Sequence, residues 1–160
     1  MHQLASHSFL SDESAVGTVE RDHPLAPMTK YRLGGRAEWL VHPQSLAQLS
    51  RVVSQCHCRN IPLRILGAGA NVLIDDDGVD GVVVRLDAPC FSQVEWNVET
   101  ASRNGHKKRG VCVRVGAGVD MGRLTLDSVR RGLSGLECMA GIPGSVGGCI
   151  RMNAGGRWGE

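Results

Sequence analysis

From residue 140 to residue 148 the chain reads Ala-Gly-Ile-Pro-Gly-Ser-Val-Gly-Gly, and Met152-Asn153-Ala154-Gly155 follows closely. A segment this poor in side chains has little with which to build a core of its own. What it offers is bare backbone, which another body can approach closely. A flat aromatic ligand could pack directly on such a loop, and the loop's N–H groups could bond that ligand's carbonyl and phosphate oxygens. The competing reading is a close-packed loop with no ligand. The number of glycines favours the ligand, because packing alone seldom needs so many in one loop.

Two further glycine segments bear on the same question. Leu66-Gly67-Ala68-Gly69-Ala70-Asn71-Val72-Leu73 lies between two strand-like stretches. Gly67 and Gly69 permit positive φ, which turns successive N–H groups inward into a nest for phosphate oxygens. Asn71 tolerates a left-handed conformation and supplies both a donor and an acceptor. A tight β turn explains the same spacing equally well. Val115-Gly116-Ala117-Gly118-Val119-Asp120-Met121-Gly122 follows a strand and opens a helix, as a dinucleotide fingerprint does. That fingerprint needs glycine at position 121, where Met121 stands. Glu137 lies at the distance of a ribose contact, yet nothing strand-like precedes it. The spacing therefore argues against a Rossmann site.

Composition limits the partners. The chain has 160 residues, 42% of them hydrophobic, enough to bury the core of an ordinary domain. A net charge of +2 gives no basic footprint for nucleic acid. No apolar run reaches membrane-spanning length, and no signal-like stretch opens the chain. The six cysteines form no C-x-x-C pair, so reduced thiols in a cytoplasmic protein are expected. Cys56-His57-Cys58 has the look of a metal site. Within a helix, however, neighbouring residues point in different directions, which favours a buried Cys56 beside two partly exposed residues.

Along the chain, residues 1–23 are polar without a steady period and read as a flexible tail, with room for one short helix. A strand is expected over 38–41. A helix then opens at Pro43, with Leu46, Leu49, Val52, Val53 and Cys56 as its apolar stripe, and stops at Asn60 and Pro62. Strands follow over 63–66 and 82–84. Residues 91–98 and 111–115 read as a hairpin whose basic tip, 103–109, is a solvated turn. A second helix spans 121–131, with Leu124, Leu126 and Val129 as apolar candidates and Gly132 as its stop. Residues 133–159 read as glycine-rich loops. The mixed order indicates an α+β domain rather than regular βαβ units, occupying residues 24–160.

One ordered set of motifs carries a resemblance. Thr29-Lys30-Tyr31-Arg32-Leu33-Gly34-Gly35, the Gly67 loop, the Val-Gly-Ala-Gly strand end, Gly135-Leu136-Glu137, the Gly141 loop and Met152-Asn153-Ala154-Gly155 occur in sequence. Together they resemble the amino-terminal part of the UDP-N-acetylmuramate dehydrogenase family, also called UDP-N-acetylenolpyruvoylglucosamine reductases. Ala70 replaces the usual Ser before the loop Asn, which removes one hydroxyl donor. Ala68 replaces a frequent Gly, and the closing Gly-Arg-Trp-Gly replaces a commoner Gly-Ala-aromatic-Gly.

The resemblance implies a FAD-binding domain of the vanillyl-alcohol-oxidase (PCMH) type, incomplete here, with the substrate domain absent. It also implies NADPH as hydride donor, a UDP-sugar substrate in the full-length enzyme, and a place in peptidoglycan biosynthesis. No nucleic acid, membrane or obligate protein partner is expected. The implied cofactor-binding residues are Tyr31; Gly67, Ala68, Gly69, Ala70, Asn71 and Val72; Gly118; Gly141, Ile142, Pro143, Gly144, Ser145, Gly147 and Gly148; and Asn153, Ala154 and Gly155. No metal ligand is implied. The family's Ser acid, with its assisting Arg and Glu, matches positions beyond residue 160, so no catalytic residue is expected within the chain.

Overall fold

The computed structural model describes residues 8–97 and 111–155. Its contacts divide the chain into two compact units, Met1–Phe91 and Ser92–Glu160, where one domain over 24–160 was expected.

The first unit is built on a four-stranded sheet. β1 is Thr18–Pro24, β2 Arg36–His42, β3 Leu63–Leu66 and β4 Val79–Arg85, in the order β1-β2-β4-β3. β1 and β2 are antiparallel, while β4 runs parallel to both its neighbours. Central parallel strands are covered on both faces and read as continuous apolar runs. Val82, Val83 and Val84 do so, at 0%, 3% and 0% exposure. One face packs Val41, Val82 and Val84 against Val52 and Cys56. The other packs Leu40 and Val83 against Leu25, Leu66 and Ile74.

Two helices accompany this sheet. α1 is the short turn Glu13–Val16, and α2 is Leu46–Cys58. The start of α2 differs from expectation. Ser45 is its N-cap and accepts from the Gln48 N–H, so Pro43 precedes the helix. Its buried stripe is narrower than expected, with Leu46 and Val53 exposed. At 3.6 residues per turn, Leu49, Val52 and Cys56 share one line, and Leu46 and Val53 fall to one side of it. Cys56 is buried while His57 and Cys58 are exposed.

The flexible tail expected over residues 1–23 is corrected over its described part. Leu10 and Val16 are buried in the core, and β1 pairs with β2 from Thr18↔His42 to Pro24↔Arg36. A polar edge strand shows no apolar period because its order comes from its neighbour. Arg21 lies 5.2 Å over the ring of its register partner Trp39, and Glu20 reaches His42 at 3.6 Å.

β4 carries a bulge. The register with β2 shifts between Ala37↔Val79 and Trp39↔Val82. The spare Gly81 N–H donates to Glu38 Oε2 at 2.8 Å. Gly81 has φ +81°, and a Cβ there would stand 2.3 Å from the Pro62 carbonyl oxygen, so only glycine fits.

The second unit holds the antiparallel pair β5, Val94–Trp96, and β6, Val113–Val115. This is the expected hairpin, shortened; Phe91 instead ends a 3-10 turn in the first unit. The basic tip at 103–109 lies outside the described residues. α3 is Met121–Arg130, capped by Asp120, whose side chain accepts from the Arg123 N–H. Its buried face is Met121, Leu124, Thr125 and Ser128. Leu126 and Val129 turn outward, since they lie off the line that Leu124 and Ser128 define. Gly132, at φ +68°, follows its end. Within the stretch expected as loops, a short helix α4 forms over Val146–Arg151, capped by Ser145. Val119, Met121, Leu124, Val146 and Cys149 make the core of this unit.

Candidate functional site

In the first unit, β3 runs into residues 67–78 at the carboxyl end of a parallel strand, where open α/β sheets present ligand-binding loops. Among the described residues, no backbone N–H from 67 to 73 donates to a protein acceptor with hydrogen-bond geometry. A row of amides left open in this way is a fit for phosphate oxygens, which take several N–H donors. The details of the nest differ from expectation. Gly69 alone in this loop has positive φ, +63°; Gly67 and Asn71 do not. Gly69 is also fixed by packing, since a Cβ there would stand 2.2 Å from the Met28 carbonyl oxygen.

A turn beside this loop contributes Tyr31. Thr29, 5% exposed, donates from Oγ1 to the Ala26 carbonyl and accepts from the Arg32 N–H at 3.1 Å. The Lys30 N–H donates to the Gly69 carbonyl at 2.9 Å and ties the turn to the loop. Tyr31 is 54% exposed and Val72 37%; Ala68 and Asn71 are exposed and Ala70 is half-buried. The importance of Thr29 is invisible at sequence level, because its role depends on being buried.

In the second unit, the glycine-rich loop is partly consumed by the fold. Residues 120 and 145 form an isolated antiparallel bridge. Val146 N–H donates to Val119 O at 2.8 Å, Gly147 N–H to Ala117 O at 2.9 Å and Met121 N–H to Gly144 O at 2.9 Å. A Cβ at Gly147 would lie 2.9 Å from the Ala117 Cβ, so this glycine allows two backbones to meet. Ser145 is 8% exposed, and its hydroxyl accepts from the Gly148 N–H at 3.3 Å. Gly147 and Gly148 therefore have protein partners where open amides were expected. Gly141, Gly144 and Ser145 keep N–H groups with no protein acceptor among the described residues. Ile142 packs against the unit's core, and Pro143 is exposed. The Asn153 N–H donates to Ile150 O and the Ala154 N–H to Cys149 O, closing α4, with Gly155 exposed beyond.

Gly118 is half-buried in the turn between β6 and α3. β6 pairs antiparallel with β5, not parallel in a βαβ unit, which agrees with rejecting a Rossmann site. Glu137 is engaged locally: its carboxylate accepts from its own N–H and from the Gly135 N–H, and these bonds hold its pKa below the usual value. Burial, aided by the Asp120 charge, pushes the Cys149 thiol up, away from the reactive thiolate.

A family model described as FAD binding domain matches residues 37–160. The chain belongs to the FAD binding domain family. Within the family's range it is similar to the UDP-N-acetylenolpyruvoylglucosamine reductase of Anaeromyxobacter sp. (strain Fw109-5). The two are 40% identical over 144 residues, covering 90% of this chain and 41% of that protein. It is 41% identical to the enzyme of the same name from Magnetococcus marinus over 150 residues, covering 94% of this chain and 45% of that protein. The crystal structure of UDP-N-acetylenolpyruvylglucosamine reductase from Thermus caldophilus superimposes with a TM-score of 0.69 at 35% identity, over 89% of this chain and 45% of that one. A solvent-stable cholesterol oxidase, 16% identical with a TM-score of 0.61, shares the fold alone. The chain thus spans less than half the length of the curated relatives it matches. The α+β FAD-binding architecture and the family resemblance read from the motifs both stand.

Proposed function

We propose that this chain holds FAD within an NADPH-dependent UDP-N-acetylenolpyruvoylglucosamine reductase that serves peptidoglycan synthesis in the cytoplasm. The observation that carries the reading is the row of amides at residues 67–73 with no acceptor at full hydrogen-bond geometry among the described residues, in a chain of the FAD binding domain family. FAD supplies hydride-transfer chemistry when bound. The residues of this chain would bind and orient it. The amides around Gly67, Ala68, Gly69, Ala70, Asn71 and Val72 suit the diphosphate. The exposed Tyr31 ring offers a flat apolar surface. The open N–H groups of Gly141, Gly144 and Ser145 suit carbonyl oxygens. Backbone N–H groups donate hydrogen bonds, so binding is the role that fits them.

Two measurements test the proposal. FAD added to the purified chain should bind saturably, followed by quenching of flavin fluorescence; absence of binding would count against it. Joined to the carboxyl-terminal part of a relative such as the Magnetococcus marinus enzyme, the chain should support NADPH oxidation only when the enolpyruvyl sugar nucleotide is present. Oxidation indifferent to that substrate would point to another flavoenzyme.

A further inference from the structure

Lys30 is fixed at its backbone and, among the described residues, unpaired at its end. Its N–H donates to the Gly69 carbonyl at 2.9 Å, and buried Thr29 pins the turn that carries it. The residue is exposed, and its ammonium forms no ion pair among the described residues. The loop to which it is tied, residues 67–73, has no charged side chain. The nearest carboxylates along that loop begin at Asp75, whose side chain accepts from the Asp77 N–H. Backbone dipoles in a nest carry only partial charges, and a diphosphate carries full negative ones. An ammonium on a flexible four-carbon stem is a point charge able to settle on either phosphate.

We propose that Lys30 is a binding residue for the diphosphate of the dinucleotide, supplying the cation that the amides of residues 67–73 lack. This rests on the functional reading above. Within that reading it assigns to Lys30 a contact that the glycine pattern alone does not indicate. Charge-assisted contacts of this kind are stronger than neutral ones and are screened by salt when exposed.

The test compares the unsubstituted chain with Lys30→Ala and Lys30→Arg. FAD affinity is measured by fluorescence quenching across a series of salt concentrations, beside the melting temperature without FAD. Lys30→Ala should weaken FAD binding about tenfold at low ionic strength and converge on the parent at high salt. Lys30→Arg should stay close to the parent throughout, and all three should melt alike without FAD. Equal affinity of Lys30→Ala and the parent at low salt would overturn the assignment. A loss of the same size at every salt concentration, or a lowered melting temperature, would also overturn it and indicate a structural role. Failure of the unsubstituted chain to bind FAD would overturn the functional reading itself.

Discussion

A methyl group added at Gly69 would meet the Met28 carbonyl oxygen at 2.2 Å, and one at Gly147 would meet the Ala117 Cβ at 2.9 Å; at Gly141 nothing lies within 4 Å. Gly69→Ala and Gly147→Ala should therefore lower the melting temperature by several degrees, as overpacking against close-packed neighbours costs about 1–3 kcal/mol. Gly141→Ala should cost only about 1 kcal/mol, from its φ of +81°. Thermal melts of the three variants check the order. The glycine pattern in the sequence located the loops correctly but could not separate these roles, because each role is set by a segment distant in the chain. Cys56 gives a pH prediction. Burial pushes its thiol up to about 11 from 9.0, against a smaller lowering by Arg59. The neutral thiol's contribution is complete below the unfolded value and lost as pH rises through the folded one. Stability should fall by on the order of 2 kcal/mol between pH 9 and 11. Denaturant titrations should show a shallower fall in Cys56→Ala than in the parent over that window.

Helices were legible from their period, and their limits were set by chemistry of a single residue. Ser45 and Asp120 each cap a helix by accepting an N–H three residues on. Ser45→Ala should cost about 1 kcal/mol, read as a shifted denaturant midpoint with unchanged slope. α3 offers a sharper contrast. Leu124, 5% exposed, should cost about 2–5 kcal/mol on replacement by Ala, whereas Leu126→Ala at 49% exposure should change the midpoint little. Both leucines were candidates for the buried face. Only the direction from which the unit's core approaches distinguishes them, and sequence does not carry that direction. α4 escaped detection because Gly147 and Gly148 lie in its first turn, where propensity opposes a helix and the Ser145 cap with close packing on Ala117 outweighs it.

At the scale of the chain, the central β4 was the easiest element to foresee and β1 the hardest. A strand buried on both faces announces itself as an apolar run, while an edge strand borrows its order from β2. Removing residues 1–24 should strip the sheet of β1 and the core of Leu10 and Val16, so the shortened protein should lose its cooperative thermal transition. Circular dichroism melts of the two lengths would decide this, and an unaltered transition would place these residues outside the folding unit. The Glu38 contact with Gly81 has a consequence for how the chain reaches its fold. A valine run such as Val82-Val83-Val84 is nearly self-similar, and sliding it by one residue along β2 would exchange its two faces with little loss of apolar contact. Such a slip would carry the Gly81 N–H away from the Glu38 carboxylate that accepts it. One acidic side chain thus acts as a key that only the native alignment turns, and it discourages mispaired sheets that would go on to aggregate.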